Sequence, residues 1–310
     1  MKVVHLTVDS NIRPIEGGIV LALGYFDGLH LAHQHLIRET IKIAEMKGVK
    51  SGVMTFHPSP KEVVGKDQII GYLTPHNKKI SILSDWGVDY LFVVSFTEEL
   101  AELPHKTFIE RFVCELDAVH LVTGFDFRYG HKGRGNVHTL IEDGNDTFGL
   151  SIIEEVKLDG EKISASTIRK HIEEGKVDLV YPMLGRYYET EGIVIHGFKR
   201  GRELGFPTAN IALIEDYVVP STGVYVVGVK VHQTYYYGMC NVGYNPTFNE
   251  NHHMTIEVNI LDFDEEIYDE KITLIWYKKM RDEVKFPSVN ALVEQLKKDE
   301  EMTREIIKQL

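Results

Sequence analysis

The sequence is poor in cysteine and in long apolar runs. Its 310 residues include only 2 cysteines, Cys114 and Cys240, which lie far apart. Two distant thiols form neither a disulfide framework nor a zinc-binding spacing, so we expect free thiols in a reducing cytoplasm. No apolar run approaches the roughly 20 residues of a membrane-spanning helix. The first residues also lack the apolar segment of a signal peptide, so we expect a soluble, cytoplasmic protein with no membrane partner.

Positive charge is scarce as well. Lys and Arg number 34 against 46 Asp and Glu, which gives a formal net charge of -12. Such an acidic balance argues against a broad nucleic-acid interface, although a local basic pocket for a nucleotide remains possible. The hydrophobic content of 43% over this length is enough for two ordinary cores. The sequence leaves the oligomeric state open, so an oligomer is possible.

The first half of the chain alternates apolar strands with helical patterns. We predict four strands, at residues 19–24, 50–56, 88–96 and 118–127. Helical patterns lie between them, at residues 33–48, 75–87 and 105–117. This alternation indicates βαβ units and an α/β domain with a mostly parallel sheet. In such sheets ligands bind beyond the carboxyl ends of the strands.

The second half has a different pattern. From about Arg186, short apolar runs are separated by turns, which predicts a mostly antiparallel barrel or sandwich of about six strands. An amphipathic C-terminal helix follows. We place the domain boundary near Gly185, so the predicted domains span residues 1–185 and 186–310.

Two histidines stand where the first strand meets a helix, in the stretch GYFDGLHLAHQHLI. A helix N-terminus offers free N–H groups and positive dipole character to an anion. His30 and His33 are three residues apart, so they share one side of the first turn and could hold a polyphosphate. They could instead cap the helix, or bind zinc if a third ligand joined them, but none is evident. The position after a buried strand favours the nucleotide, and His35 is interpreted as a surface residue.

A second candidate anion pocket lies in the stretch ISASTIRKHIEEG. Ser164 or Ser166 can cap the helix that follows, and Arg169 adds a positive charge. The alternative is an ordinary capped helix with a solvated arginine.

The stretch IHGFKRGRELGFPTANI in the second half is dense in unusual residues. Three glycines permit a tight loop against phosphates: Gly197, Gly201 and Gly205. Three basic residues bring positive charge to an acidic chain: Lys199, Arg200 and Arg202. Thr208 and Asn210 supply hard oxygen ligands of the kind that Mg²⁺ takes. Further along, Glu257 alternates with apolar residues in a predicted strand, so it is either a solvent-facing charge or a general base for a hydroxyl.

Nine such stretches, in this order, resemble the prokaryotic bifunctional riboflavin kinase/FAD synthetase family over essentially the whole chain. They are GYFDGLHLAHQHLI, TFHPSP, GFDFRYG, ISASTIR, LGRYYETEGIVIHGFKRGRELGFPTANI, GVYVV, NVGYNPTF, IEVNILDFDEEIY and RDEVKF. The resemblance implies a Rossmann-like nucleotidyltransferase domain followed by a riboflavin kinase barrel. It also implies that riboflavin is phosphorylated by ATP to FMN, and that FMN is adenylylated to FAD with release of pyrophosphate. ATP is the expected co-substrate and Mg²⁺ the expected metal.

The resemblance also implies site residues. In the first domain it makes His30, His33 and Arg169 catalytic. It places six more residues at the nucleotide: Gly24, Phe26, Asp27, Asp126, Ser164 and Ser166. In the second domain it makes Glu257 the catalytic base and Thr208 and Asn210 the metal ligands. It also assigns Thr208 and Asn210 to the binding of ATP and its phosphates, together with four further residues: Gly197, Arg202, Gly205 and Pro207. It places Arg281, Glu283 and Phe286 at the flavin.

The chain departs from the family pattern at a few of these positions. Ala32 replaces a glycine between the histidines, Ser59 a histidine between prolines, and Ala165 a serine. In the kinase motifs, Asn245 and Asn259 replace an arginine and a histidine that are common there. A methyl group at Ala32 could crowd the approach of phosphate to the backbone. Retention of only one activity, or a non-catalytic flavin- or nucleotide-binding regulator, therefore stays an alternative, as does a nucleotidyltransferase for another phosphate compound.

Overall fold

The chain folds into two compact units, Met1–Ala165 and Ser166–Leu310. The computed structural model describes residues 1–65, 71–144, 147–197, 200–244 and 254–310. Lys199 and Asn245, which the sequence singled out, lie outside these ranges. The sequence predicts a boundary after Gly185 between two functional domains, which is a different division from that between the compact units, and this boundary stays a prediction.

The first unit is built on a six-stranded parallel sheet in the order β1-β4-β3-β2-β5-β6. The strands are β1 (Lys2–Leu6), β2 (Ile19–Leu23), β3 (Lys50–His57), β4 (Tyr90–Ser95), β5 (Ala118–Gly124) and β6 (Gly149–Ile153). A short antiparallel pair follows, β7 (Lys157–Leu158) and β8 (Glu161–Lys162). The predicted parallel sheet is thus confirmed, and β1 and β6 are added at its two edges.

Helices connect these strands. They are α1 (Leu31–Lys47), α2 (Pro60–Val64), α3 (His76–Asp85), α4 (Glu98–Glu102), α5 (His105–Ile109) and α6 (Val137–Gly144). A π-helical segment, Glu110–Cys114, continues α5, and a 3₁₀ turn spans His131–Gly133. The three predicted helices correspond to α1, α3 and α5 with its extension. Gly48 ends α1 in the left-handed conformation that glycine adopts without strain.

The central strand β2 is buried on both faces. Ile19, Leu21 and Leu23 pack into one hydrophobic cluster, while Val20 and Ala22 pack into another on the opposite face. A strand covered on both sides is apolar without alternation, which explains why the β2 sequence is a continuous hydrophobic run. The sheet continues to β3 and β4 on one side of β2 and to β5 and β6 on the other, so the order in which strands are added reverses between β2 and β5, while all of them stay parallel. A ligand crevice is expected at that switch point.

The second unit contains a closed antiparallel barrel in the order β10-β13-β12-β11-β14-β9. Its strands are β9 (Tyr188–Ile195), β10 (Ala209–Leu213), β11 (Gly223–Val231), β12 (Thr234–Tyr244), β13 (Met254–Ile260) and β14 (Lys271–Arg281). Four helices lie outside the strands: α7 (Ala165–Glu173), α8 (Tyr181–Leu184), α9 (Arg200–Glu203) and α10 (Val289–Ile307). A 3₁₀ turn spans Val177–Leu179. The six predicted strands and the C-terminal helix are confirmed, with a barrel rather than a sandwich.

A buried ion pair fastens α10 to the end of β14. Nε and Nη2 of Arg281 donate to the Asp299 carboxylate at 3.0 and 2.7 Å, and Nε2 of Gln295 adds a bond of 2.9 Å. Asp299 is almost fully buried, so its charge requires these partners.

Candidate functional site

A cleft of about 260 Å³ opens at the predicted switch point of the first unit. The residues that follow β2, β5 and β6 form its walls. Six residues predicted from the sequence line it: Phe26, Asp27, His30, His33, Asp126 and Ser164. A seventh, Gly24, lies beneath one wall, because a Cβ at this position would come within 2.8 Å of the Phe26 ring.

His30 and His33 form a stacked pair at the start of α1. Their ring centroids are 3.6 Å apart and the ring planes differ by 18°. His30 is also the N-cap of the helix, because its Nδ1 accepts the His33 backbone N–H at 3.4 Å. With Nδ1 accepting, a neutral His30 ring carries its proton on Nε2 and can donate it to an anion. The capping and phosphate-binding interpretations are therefore compatible in one residue.

His33 is held in its neutral form. Burial lowers its pKa well below the usual value, and the nearby His30 and Lys79 lower it further. A neutral imidazole can donate a hydrogen bond but brings no positive charge. The positive charge that offsets a polyphosphate must therefore come from groups other than His33.

The turn that presents the histidines is strained. Phe26, Gly28 and Leu29 all have positive φ angles, of 53°, 84° and 44°. For residues other than glycine this conformation costs on the order of 1 kcal/mol each and persists only where surrounding contacts enforce it. Here Thr55 donates its hydroxyl to the Tyr25 carbonyl at 2.7 Å.

Other contacts hold the same turn. The Thr74 backbone N–H donates to Oδ1 of the buried Asp27 at 3.0 Å. Lys79 donates to the Tyr25 carbonyl as well, at 3.1 Å. Sequence reasoning missed Thr55, Thr74 and Lys79, because their contacts lie 24 to 54 positions apart and no local pattern marks them.

Asp126 lies at the rim of the cleft and is largely exposed. Its Oδ2 accepts a hydrogen bond from Lys162 Nζ at 2.8 Å. The same ammonium group sits 4.7 Å from the centroid of the Phe125 ring. Asp126 and Lys162 thus form an ion pair at the rim of the cleft, and a bound ligand could move their side chains.

Of the three departures from the family pattern in this half, two line the cleft and the third is buried outside it. Ala32 and Ala165 line the cleft, so their methyl groups form part of its wall. Ser59 is buried and caps α2, accepting the Lys61 backbone N–H at 3.3 Å. Ser59 therefore has a structural role of its own.

The predicted second anion pocket falls on α7. Ser164 directly precedes this helix, at the position of an N-cap, whereas Ser166 lies within its first turn. Arg169 is three residues beyond Ser166, on the same side of the helix. Ser166 and Arg169 belong to the second unit, whereas Ser164 belongs to the first.

A larger cleft, of about 440 Å³, lies in the barrel unit. Three predicted residues line it: Arg202, Pro207 and Thr208. Arg202 is paired with Glu266, with 3.3 Å between Nη2 and Oε1. The segment from Phe263 to Tyr268 forms another wall, so the cleft combines a basic loop with an acidic one.

Pairing of β10 with β13 sets Asn210 directly opposite Glu257. Glu257 also lies opposite Asn241 of the neighbouring β12. Residues directly opposite one another in an antiparallel pair have Cβ atoms about 5 Å apart. The Glu257 carboxylate is therefore flanked by two neutral amides, with Thr208 just before β10. Asn241 was not predicted, since only the strand register reveals its position.

Two glycines shape the loop before β10. Gly197 lies against the side chain of Asn210, where a Cβ would come within 2.1 Å of Nδ2. Gly205 has a φ of 83°, which favours glycine. The loop backbone can therefore approach Asn210 and turn sharply into the Pro207–Thr208 segment.

Asn259 holds the same segment from β13. Its Nδ2 donates to the Pro207 carbonyl at 2.7 Å, and its side chain is nearly buried. The asparagine that departs from the family pattern therefore has a specific structural partner beside Thr208.

The three residues predicted at the flavin follow β14 or end it. All of the guanidinium nitrogens of Arg281 donate within the protein, to Asp299 and to the Asp282 carbonyl. The Phe286 ring lies 5.8 Å from the Arg281 guanidinium carbon. The Glu283 carboxylate lies over Gly243, where a Cβ would be 2.5 Å from Oε1. Arg281 thus anchors α10, and its contact with flavin stays a prediction.

Across the described ranges, no three His, Cys, Asp or Glu side chains are grouped so that they could hold a metal ion. In the same ranges, no helix has the length and apolar character needed to cross a bilayer.

In comparisons with known proteins, the two halves of the chain match two different family models. Residues 12–167 match a family model described as FAD synthetase, and residues 184–307 match one described as riboflavin kinase. A bifunctional riboflavin kinase/FMN adenylyltransferase of Bacillus subtilis is 43% identical, over 97% of this chain and 96% of its own length. A protein of the same name from Listeria monocytogenes is 42% identical, over 92% and 91% of the two chains.

A crystal structure from Streptococcus pneumoniae shares the fold. It is 34% identical, with a TM-score of 0.88, and the match covers 97% of this chain and 99% of that one. That structure is described as a macrolide-efflux protein, whereas both family models and the curated relatives carry the names of flavin enzymes.

Proposed function

Since this chain belongs to the bifunctional riboflavin kinase/FMN adenylyltransferase family, we propose that its barrel unit phosphorylates riboflavin and its first unit adenylylates FMN. The chain is an enzyme of FAD biosynthesis that uses ATP as co-substrate in both steps. The observation that carries this conclusion is the match of each half of the chain to one of the two enzyme families.

In the kinase step, Glu257 acts as the general base. The 5′-hydroxyl oxygen of riboflavin attacks the γ-phosphorus of ATP, and the bond from that phosphorus to the β,γ-bridging oxygen breaks, which releases ADP. The hydroxyl proton passes to the Glu257 carboxylate. The position of this carboxylate between Asn210 and Asn241 supports the role, because the amides can orient it without neutralising its charge.

In the adenylyl step, a phosphate oxygen of FMN attacks the α-phosphorus of ATP, and pyrophosphate leaves. The paired imidazoles of His30 and His33 donate hydrogen bonds to the phosphates at the start of α1, where the helix N–H groups add their own. Residues of the same cleft complete the site: Phe26, Asp27, Asp126 and Ser164. Ser166 and Arg169 are the phosphate-binding residues that the family pattern assigns to α7.

Mg²⁺ is the metal that we propose at the segment Thr208–Asn210, whose first residue lines the barrel cleft. The donors fit, because Thr208 offers a hydroxyl and Asn210 a carbonyl oxygen, both hard ligands. Neutral donors leave the remaining positions to water and to nucleotide phosphates, as is usual for Mg²⁺. When bound, the ion offsets negative charge on the phosphates.

Arg202, Gly197, Gly205 and Pro207 shape the ATP site of the barrel. For the flavin, the proposed binding residues are Arg281, Glu283 and Phe286. A reducing cytoplasm is the proposed setting, consistent with two free cysteines, Cys114 and Cys240.

Product analysis tests the proposal directly. Reactions with ATP and Mg²⁺ are started from riboflavin and, separately, from FMN, and the flavins are separated by chromatography. We expect riboflavin to give FMN and then FAD, FMN to give FAD, and a chelator to abolish both conversions. Formation of FMN that is never adenylylated would show that the first unit has lost its activity. If neither product forms, the enzymatic function is wrong.

Replacement of Asn259 tests how the barrel positions its phosphate loop. In Asn259→Leu the Pro207 carbonyl loses its amide donor, which should destabilise the barrel by about 1–3 kcal/mol. We expect a severalfold higher KM for MgATP in the kinase reaction and unchanged adenylylation of FMN. The matched control is Asn290→Leu, since Asn290 is exposed at the start of α10. An unchanged KM would contradict the role.

A further inference from the structure

Lys79 is a buried lysine of the first unit that the adenylyl step described above does not use. It lies on α3 and is only 5% exposed. Lysine is rarely buried, because its ammonium group loses its hydration there unless the protein supplies partners. The partners of Lys79 therefore indicate what the burial achieves.

The contacts of Lys79 converge on Tyr25, where the strained turn begins. Nζ donates to the Tyr25 carbonyl at 3.1 Å and to the Thr55 hydroxyl at 3.3 Å. It also lies 5.2 Å from the centroid of the Tyr25 ring. Since Thr55 donates to the same carbonyl, the Tyr25 carbonyl accepts two hydrogen bonds at once.

A buried negative charge lies beside this lysine. The Asp27 carboxylate, two residues beyond Tyr25, favours the charged form of Lys79. Asp27 also accepts the backbone N–H of Thr74, which lies two residues before α3. The α3 region thus holds the turn at two points, through Lys79 at Tyr25 and through Thr74 at Asp27.

The turn has to be held, because it controls the histidine pair. Phe26 and Leu29 keep positive φ angles that are unfavourable for their side chains. His30 follows directly and caps α1, so a change in the turn would displace both stacked rings.

We propose that Lys79 is a positioning residue for adenylyl transfer, which fixes the Tyr25–Leu29 turn and thereby holds His30 and His33 where they receive the phosphates of ATP. This inference rests on FMN adenylylation by the first unit. Lys79 acts through the turn and through its charge beside Asp27.

The charge of Lys79 makes the step sensitive to alkaline pH. Burial lowers the pKa of Lys79 to about 8, against the opposing effect of Asp27. The pKa values of His33 and His76, which both feel Lys79, are lowered, while that of Tyr25 is raised. Neither imidazole nor the phenol therefore changes charge near pH 8. Adenylylation should be fully supported below this pH and decline as the pH rises through it.

The test compares Lys79→Met and Lys79→Arg with the wild-type enzyme. FMN adenylylation is measured as kcat and as KM for ATP across the neutral and alkaline range, and riboflavin phosphorylation is measured in the same preparations. We expect Lys79→Met to lower kcat/KM for adenylylation on the order of 100-fold, since small misplacements of catalytic groups have effects of this size. Its remaining activity should lack the decline near pH 8, and phosphorylation should be unchanged.

Lys79→Arg retains the charge, so it should stay closer to the wild type and also lose the decline near pH 8. If Lys79→Met does not fold, Lys79→Arg still tests the inference. Lys106→Met, on an exposed lysine of α5, is the matched control. Wild-type adenylylation by Lys79→Met, or an unchanged alkaline decline in the folded variants, overturns the inference. Absence of adenylylation by the wild type overturns the proposed function instead.

Discussion

Glu257→Gln should lower the rate of riboflavin phosphorylation by about 10² to 10⁴-fold, the usual contribution of a general base. Glutamine keeps the shape of glutamate and its hydrogen bonds to neighbouring amides, but it cannot take the proton from the hydroxyl. Asn210 and Asn241 lie opposite position 257 on both sides, so they can hold the glutamine where the glutamate was. The measurement is FMN formation from riboflavin and ATP.

The second activity of the chain serves as the control for this variant. Adenylylation of supplied FMN should be unchanged, since the described residues that line the cleft of the first unit all belong to that unit. Glu294→Gln, at an exposed position of α10, should leave both activities intact. Loss of both activities in Glu257→Gln would mean that Glu257 is structural or that the two reactions are coupled.

His30→Asn should lower FMN adenylylation by about 10² to 10³-fold, the usual cost of removing a donor that stabilises developing charge. Asparagine is a good N-cap, so α1 should keep its stability and the free energy of unfolding should change by less than about 1 kcal/mol. The substitution therefore separates the phosphate role of His30 from its capping role. Steady-state rates of FAD formation and a denaturation curve are the two measurements.

The neighbouring His35 provides the matched control. It is exposed on the same helix, so His35→Asn should leave adenylylation unchanged. Riboflavin phosphorylation should be unaffected in both variants. A His30→Asn enzyme that is stable and fully active would contradict a role for His30 at the phosphates and leave it only the capping of α1.

Local patterns predicted most of the fold. The continuous apolar run of β2 and the helical periodicity of α1 both depend on residues close in sequence, so they were found. β1 and β6 were missed because both lie at the edges of the sheet. Edge strands are only partly buried, and the hydrophobic signal that marks β2 is weak in them.

The residues of the candidate sites also divide into those that a local motif reveals and those that only the fold reveals. The histidine pair and the Thr208–Asn210 segment are short motifs, which a sequence displays directly. The flanking of Glu257 by Asn210 and Asn241 depends on strand register, which the sequence does not show. Lys79 was missed for a similar reason, because its partners Tyr25 and Thr55 come from other elements.

For Arg281 the sequence displays the motif but not the contacts of the side chain. Its position in the RDEVKF stretch predicted a contact with flavin, whereas its guanidinium group is bound to Asp299 of α10. These contacts show that Arg281 holds α10 in place, and its contact with flavin stays a prediction.

The position of α7 has a consequence for anyone who wishes to express the two activities separately. This helix runs without interruption from Ala165 to Glu173, although the two compact units divide between Ala165 and Ser166. A gene truncated at that division would sever the helix in its first turn, and so short a remnant cannot form a helix alone. Both fragments should therefore contain the whole helix, so a transferase fragment should end beyond Gly175 and a kinase fragment should begin before Ala165. The barrel unit needs this segment as well, because Gly175 lies against Ser221, Tyr225 and Lys279.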